Sequence, residues 1–305
     1  MGVVFLGTSE FAAGILARLA EDERHRPIFV LTRPDRPSGR GRRLTSPPVA
    51  EAARALGLTL AQPASVNDEQ TVAAIDSVRP DAIVVCAFGA LIKEPLLSTH
   101  ELLNVHPSLL PRWRGAAPIE RAIMAGDQRT GVSILRLTAG LDSGPVCLAE
   151  DEPIREHDSY GTLAPRLREL GARLLLDVLD AKAAGDPPPF VEQDEREATY
   201  AEKIESRDRA LDPARAAVEL ERVVRALHPQ IGARAALADG TLLTIHEAAL
   251  APSAGTLELG PIERDGRLLL ACAEGALELR VVQPPGGRPM PAEDYLRGHG
   301  LAARR

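Results

Sequence analysis

Apolar and polar positions along the first half of the chain alternate between two periods. Short apolar runs read as buried strands: "VVFLG" (Val3 to Gly7), "IFVLT" (Ile28 to Thr32), "LTLAQP" (Leu58 to Pro63), "DAIVVCAFG" (Asp81 to Gly89) and "LLNVHP" (Leu102 to Pro107). Between them lie segments of helical period, from Ser9 to about Ala20, from about Pro47 to Leu56 and from about Asp68 to Val78. A helix near Ala116 to Ala125 and two strands, Gly131 to Leu137 and Pro145 to Glu150, come next. A long amphipathic helix from about Ser159 to Ala183 completes this part. Alternation of this kind predicts an α/β fold with a doubly wound, mostly parallel sheet of the nucleotide-binding, Rossmann-like shape.

"GDPPPF" (Gly185 to Phe190) interrupts the last helix, and a charged stretch with little periodicity runs on to about Lys203, which reads as a linker. Beyond it, Pro213 to Leu227 reads as a helix with Ala214, Ala217, Val218, Leu220, Val224 and Leu227 on its apolar side. The remainder is short strands punctuated by "ADG", "RDG" and "AEG", which is hairpin-turn chemistry. A small β-barrel resembling the oligonucleotide-binding type is the expected second domain. The expected division is 1–187, a linker over 188–203, and 204–305, in keeping with a length of 305 residues.

Composition narrows the class. Hydrophobic residues make up 45% and charged residues 26%, as in a soluble enzyme. The three cysteines, Cys86, Cys147 and Cys272, are far apart and form no CxxC pair, which argues against a disulfide framework or a zinc site. No signal-peptide pattern opens the sequence, and the apolar runs are too short to span a bilayer, so a cytoplasmic protein without membrane attachment is expected. The net charge of −7 conceals an uneven distribution. From Lys203 onward 14 basic residues balance 14 acidic ones, and between Arg33 and Arg43 five arginines accompany the single acidic residue Asp35. A basic island on an acidic body is a focused electrostatic feature.

The first strand–helix junction reads "GTSEFAAG", which departs from G-x-G-x-x-G, and no Walker A sequence occurs, so a dinucleotide cofactor is disfavoured. The densest candidate segment is "NVHPSLLPRWRGAAPI" (Asn104 to Ile119). Asn104 and His106 stand two apart at the C-terminal end of a strand, so their side chains leave one face, where open α/β sheets hold ligands. Imidazole beside a neutral amide suits proton transfer next to a transient oxyanion. Alone, a strand-end His more often bonds a backbone carbonyl. Asp142, in the Gly-flanked turn "AGLDSGP", is likewise in isolation an ordinary Asx-turn residue.

Together these segments resemble the folate-dependent formyltransferase family, whose motif is Asn-x-His followed by Ser-Leu-Leu-Pro, with a later Leu-Asp-Ser/Thr-Gly turn. This chain has Asn104, His106, Ser108 to Pro111, and Leu141 to Gly144. The resemblance implies a catalytic trio of Asn104, His106 and Asp142. It implies folate contacts at Ser108, Leu109, Leu110 and Pro111, with Cys86 to Ile92 as another wall of the pterin pocket. "PRWRGAAPI", "GTSEFA", "RPDRPSGRGRRLTSPPV", "ATYAEKI" and "QPPGGRPMPAEDYLRG" are similar to the members that formylate initiator methionyl-tRNA. The sequence departs from their pattern at Leu227 to Ala235, where a Pro-Trp-Pro-like turn is common, and at Pro145, where an acidic residue is.

The resemblance therefore implies 10-formyltetrahydrofolate as formyl donor, no metal, and the acceptor stem of initiator methionyl-tRNA as partner of a monomeric enzyme. The Arg-rich segment would grip that stem, through Arg36, Arg40, Arg42 and Arg43 with Arg33 beside them. Relatives acting on small amines, and hydrolases that release formate, are the rival readings of the same trio. Neither has a use for the basic island.

Overall fold

The computed structural model describes residues 1–38, 43–252, 258–299 and 301. Contacts divide the chain into two compact units: Met1–Pro118 with Arg129–Pro153 and Ala164–Ala201, and Ile119–Gln128 with Ile154–Leu163 and Glu202–Arg305.

The first unit is organised around a seven-stranded sheet. Its strands are β1 (Val3–Gly7), β2 (Pro27–Leu31), β3 (Leu60–Ala61), β4 (Ala82–Cys86), β5 (Leu102–His106), β6 (Arg129–Arg136) and β7 (Val146–Pro153). They lie in the order β7-β6-β5-β4-β1-β2-β3. The β1–β2, β1–β4, β2–β3 and β4–β5 pairs are parallel, whereas β6 runs antiparallel to both β5 and β7. Every residue of β1, β4 and β5 is buried, which explains their uninterrupted apolar runs. From β1 the chain crosses first to one side, at β2, and later to the other, at β4. The strand order thus reverses beside β1, and a crevice at the C-terminal ends of β1 and β4 is the expected outcome.

Local chemistry fixes the connecting helices α1 (Glu10–Glu21), α2 (Pro48–Ala55) and α3 (Glu69–Ser77). Ser9 Oγ accepts the Ala12 N–H and Asp68 Oδ1 accepts the Thr71 N–H, so α1 and α3 begin on side-chain caps. Proline at the first position of α2 has a φ suited to a helix start. The helices α4 (Pro118–Ala125) and α5 (Tyr160–Ala183) lie close to the spans expected from periodicity. Within the Arg-rich segment Arg36–Ser38 pairs antiparallel with Arg43–Thr45. Asp35 anchors its base by accepting from Gln62 Nε2 at 2.7 Å and Ser46 Oγ at 3.0 Å. Arg40 and Arg42 lie outside the described residues.

In the second unit α6 (Ala217–Leu227) packs against a six-stranded antiparallel sheet. Its strands are β8 (Ala233–Ala236), β9 (Leu242–Ala251), β10 (Gly260–Arg264), β11 (Arg267–Ala271), β12 (Ala276–Gln283) and β13 (Met290–Pro291). The path runs β8-β9-β12-β11-β10, with β13 on β12, and forms a half-barrel. Asp265 and Gly266, both with positive φ (52° and 73°), make the two-residue turn between β10 and β11 that "RDG" predicts. The helix expected from Pro213 begins only at Ala217, since Asp212 Oδ1 takes the Ala214 N–H and Asp212 O the Arg215 N–H in a preceding turn. Its buried face accordingly holds Val223 and Ala226, while Ala214 is exposed and Val218 is 41% exposed. The core of this unit adds Tyr295 and Leu296 from α7 (Ala292–His299). Among the described residues no helix is long and apolar enough to cross a membrane.

Candidate active site

β5 delivers the first two candidate side chains. Asn104 and His106 are 7% and 4% exposed, and the alternation of a strand turns both to one face. Neighbouring strand ends are tied together where Thr8 Oγ1, just past β1, donates to Phe88 O at 2.7 Å, just past β4. The chain leaves β4 through two positive φ values, 42° at Ala87 and 71° at Gly89, and Arg33 Nη1 bonds the Gly89 carbonyl. Phe88 and Ile92 turn into the core, so the Cys86 to Ile92 segment presents Ala87 and Gly89 to Leu91 outward. Cys86 is fully buried, and burial raises its thiol pKa far above the ordinary range, which makes it inert.

Asp142 reaches this face from the turn between β6 and β7. Asn104 Nδ2 donates to Asp142 Oδ1 at 3.1 Å, and the backbone N–H of Gly115 donates to Asp142 Oδ2 at 2.9 Å. His106 Nδ1 stands 3.6 Å from the same Oδ2. The other ring nitrogen, Nε2, lies 2.9 Å from Trp113 O. A carbonyl can only accept, so Nε2 carries a proton and Nδ1 is the atom that can exchange one beside Asp142. The strand-end backbone bond that commonly holds a histidine is therefore present, and it orients the ring for the carboxylate.

Two of these backbones are strained. Asp142 has φ 46° and Trp113 φ 63°, in the left-handed region where a non-glycine residue costs on the order of 1–3 kcal/mol. Gly144 is obligatory for the turn, because a Cβ there would lie 1.9 Å from the Arg136 carbonyl oxygen. Gly115 has φ 119°, and a Cβ on it would lie 2.8 Å from Ala201 O.

The Ser108 to Pro111 loop is bonded to Arg112, Ser133 and Thr199 around it. Ser108 is fully buried, its Oγ donates to Arg112 O at 2.6 Å, and its carbonyl accepts from Ser133 Oγ at 2.8 Å. Leu110 N–H donates to Ser133 Oγ at 3.1 Å, Leu109 packs over Gly131, and Pro111 O accepts the Thr199 N–H at 3.2 Å. The loop is thus a shaped wall with its polar atoms turned inward. Arg36 is exposed, and the backbone of Arg43 pairs with Ser38.

The motif carried by this geometry matches two family models, Formyl transferase over residues 1–179 and Formyl transferase, C-terminal domain, over residues 203–300. The chain is 44% identical over 301 residues to the methionyl-tRNA formyltransferase of Stenotrophomonas maltophilia, covering 97% of each chain. It is 42% identical to that of Methylococcus capsulatus, over 100% of this chain and 99% of the relative. This chain belongs to the methionyl-tRNA formyltransferase family. Family members are transferases that use a formyl-tetrahydrofolate. The fold is shared with HypX from Aquifex aeolicus in complex with tetrahydrofolic acid, at 20% identity and a TM-score of 0.67 over 99% of this chain, which spans 48% of that one. It is shared also with an N-formyltransferase from Helicobacter canadensis, at 13% identity and a TM-score of 0.65.

Family motifs pointed to the trio but not to its supports. Gly115, the Trp113 carbonyl and Gln193 all bond a trio member, two of them through backbone atoms that no residue pattern encodes. The aperiodic stretch after α5 supplies Gln193, and it is bonded along its length to this unit: Val191 pairs with Val146, Thr199 O accepts the Arg114 N–H, and Ala201 O accepts the Ala116 N–H.

Proposed function

We propose that this chain transfers the formyl group of 10-formyltetrahydrofolate to the α-amino group of initiator methionyl-tRNA. The observation that carries the reading is the meeting of Asn104, His106 and Asp142 at one strand end in a chain of this family. The donor fits the polar set. A neutral carboxamide, an imidazole and a carboxylate suit a formamide oxygen and an amine, and the inward-turned loop leaves a wall fit for a flat ring.

The donor supplies an activated formyl carbon. A free α-amino group titrates near 7.7–8.0, so its neutral nucleophilic form is available at physiological pH. The new N–C bond forms at that carbon, the bond to N10 breaks, and a proton passes from the amine to N10. Asn104 has one N–H on Asp142, and its second serves the formyl oxygen as charge grows there. His106 acts through Nδ1, donating when doubly protonated and accepting when neutral. Asp142 takes up and returns the migrating proton, with Gly115 N–H steadying its charged form.

The same reading assigns 1–187 to catalysis and 204–305 to RNA contact, in a monomeric cytoplasmic enzyme, with 188–203 connecting them while bonded to the first unit through Val191 and Gln193. Arg36, Arg40, Arg42 and Arg43 engage acceptor-stem phosphates. The test follows labelled formyl from 10-formyltetrahydrofolate with charged initiator methionyl-tRNA, free methionine and glycinamide ribonucleotide in parallel. Label on the charged tRNA alone is expected. Formate release, or label on a small amine without the tRNA, would overturn the assignment.

A further inference from the structure

One side chain holds the Asp142 turn from behind. Gln193 Nε2 donates to Asp142 O at 2.8 Å and to Gly144 O at 2.7 Å, which commits both hydrogens of its amide. The amide cannot be reversed, because Gln193 Oε1 accepts from Arg114 Nε at 3.0 Å, and a guanidinium only donates. Arg114 is 1% exposed, and its two terminal nitrogens fork onto Glu195 at 2.9 and 2.8 Å. The dipeptide Arg114–Gly115 therefore grips Asp142 twice. Its side chain acts on the Asp142 carbonyl through Gln193, and its next N–H acts on Oδ2 directly.

We propose that Gln193 is a positioning residue for formyl transfer. Its two N–H groups clamp the Asp142 to Gly144 turn in the left-handed backbone that Asp142 adopts (φ 46°), and so fix the carboxylate against Asn104 and His106. The carbonyls of Asp142 and Gly144 converge on one donor nitrogen, which the neighbouring peptide groups do not supply. An apolar residue of similar size leaves both carbonyls without that donor and frees the turn to relax away from φ 46°. A carboxylate is worse, since it faces two carbonyl oxygens with acceptors. The proposal rests on the formyl-transfer reading, and wild-type turnover on charged tRNA tests that reading before any variant is made.

The experiment compares wild type, Gln193→Leu, Gln193→Glu and Asp142→Asn, with each Gln193 change also placed in the Asp142→Asn background. Single-turnover and steady-state formyl transfer are followed beside thermal melts. Gln193→Leu is expected to lower kcat about 10- to 100-fold, as a displaced reacting group does, with KM for both substrates unchanged within about twofold. In the Asp142→Asn background the same change should cost less than about threefold, because residues acting as one unit are not additive. Gln193→Glu keeps the length of the side chain and its acceptor for Arg114, and is expected to lose at least as much; it carries the test should the leucine variant not fold. Full, multiplicative losses in both backgrounds would overturn the proposal, as would a rise in KM alone or wild-type kcat in either variant. Absence of transfer by wild type would overturn the functional reading, and the proposal with it.

Discussion

The backbone N–H of Gly115 donates to Asp142 Oδ2 at 2.9 Å, across 27 residues of chain. The bond occupies that oxygen and leaves Oδ1 to Asn104. The same Oδ2 stands 3.6 Å from His106 Nδ1, and under the proposed mechanism that gap lets the incoming amine reach either group. Carboxylate and ring are thus each held in position by a backbone group, Gly115 N–H and Trp113 O.

Under the proposed mechanism Asn104→Ala removes the carboxamide N–H that serves the formyl oxygen. Loss of one such donor typically costs roughly 10² to 10³ in rate. The expected result in the formyl-transfer assay is a fall in kcat of that size at nearly unchanged KM. An effect confined to KM would assign Asn104 to binding.

Gly144→Ala sets a Cβ 1.9 Å from the Arg136 carbonyl oxygen, a backbone atom that cannot swing aside. Overpacking of this kind typically costs about 1–3 kcal/mol. Thermal or urea unfolding should show that loss, and activity should fall further than stability because the turn also carries Asp142.

Glu120, in α4, has a carboxyl that burial pushes up to about 7 from its ordinary 4.5. Between those values the folded chain keeps a proton that the unfolded chain releases. Its contribution to stability is therefore fully present below pH 4.5 and is lost as pH rises through 7. Glu120→Gln stays neutral at every pH. Melting curves should show the variant gaining on wild type from pH 4.5 to 7 and then holding a constant lead. A lead independent of pH would show that Glu120 is not titrating in that window.

Arg36→Ala should weaken binding of initiator methionyl-tRNA and reduce the slope of log affinity against log salt by about one, the signature of a single phosphate contact. Filter binding or fluorescence titration across a salt series measures this. An unchanged slope would remove Arg36 from the RNA face.

The apolar runs by themselves determined β1, β2, β4 and β5, because strands buried on both faces need unbroken apolar sequence. Strand periodicity likewise put Asn104 and His106 on one face, and the Gly-flanked Leu141 to Gly144 motif marked Asp142. Where pattern is local, sequence suffices: Ser9 and Asp68 cap their helices as their residue types dictate. The start of α6 lies later than helical period indicates because the Asp212 side chain captures the Ala214 N–H and the Asp212 carbonyl the Arg215 N–H, a choice that period cannot register.

Only tertiary structure decided what Asp142 meets. Its partners Asn104, Gly115 and Gln193 are separated from it by 38, 27 and 51 residues, and two of those bonds use backbone atoms common to every residue. The stretch holding Gln193 has no periodicity because it is anchored by individual hydrogen bonds instead of a buried face. Burial writes itself into composition and period, whereas a single long-range hydrogen bond constrains one atom pair and leaves no pattern along the chain.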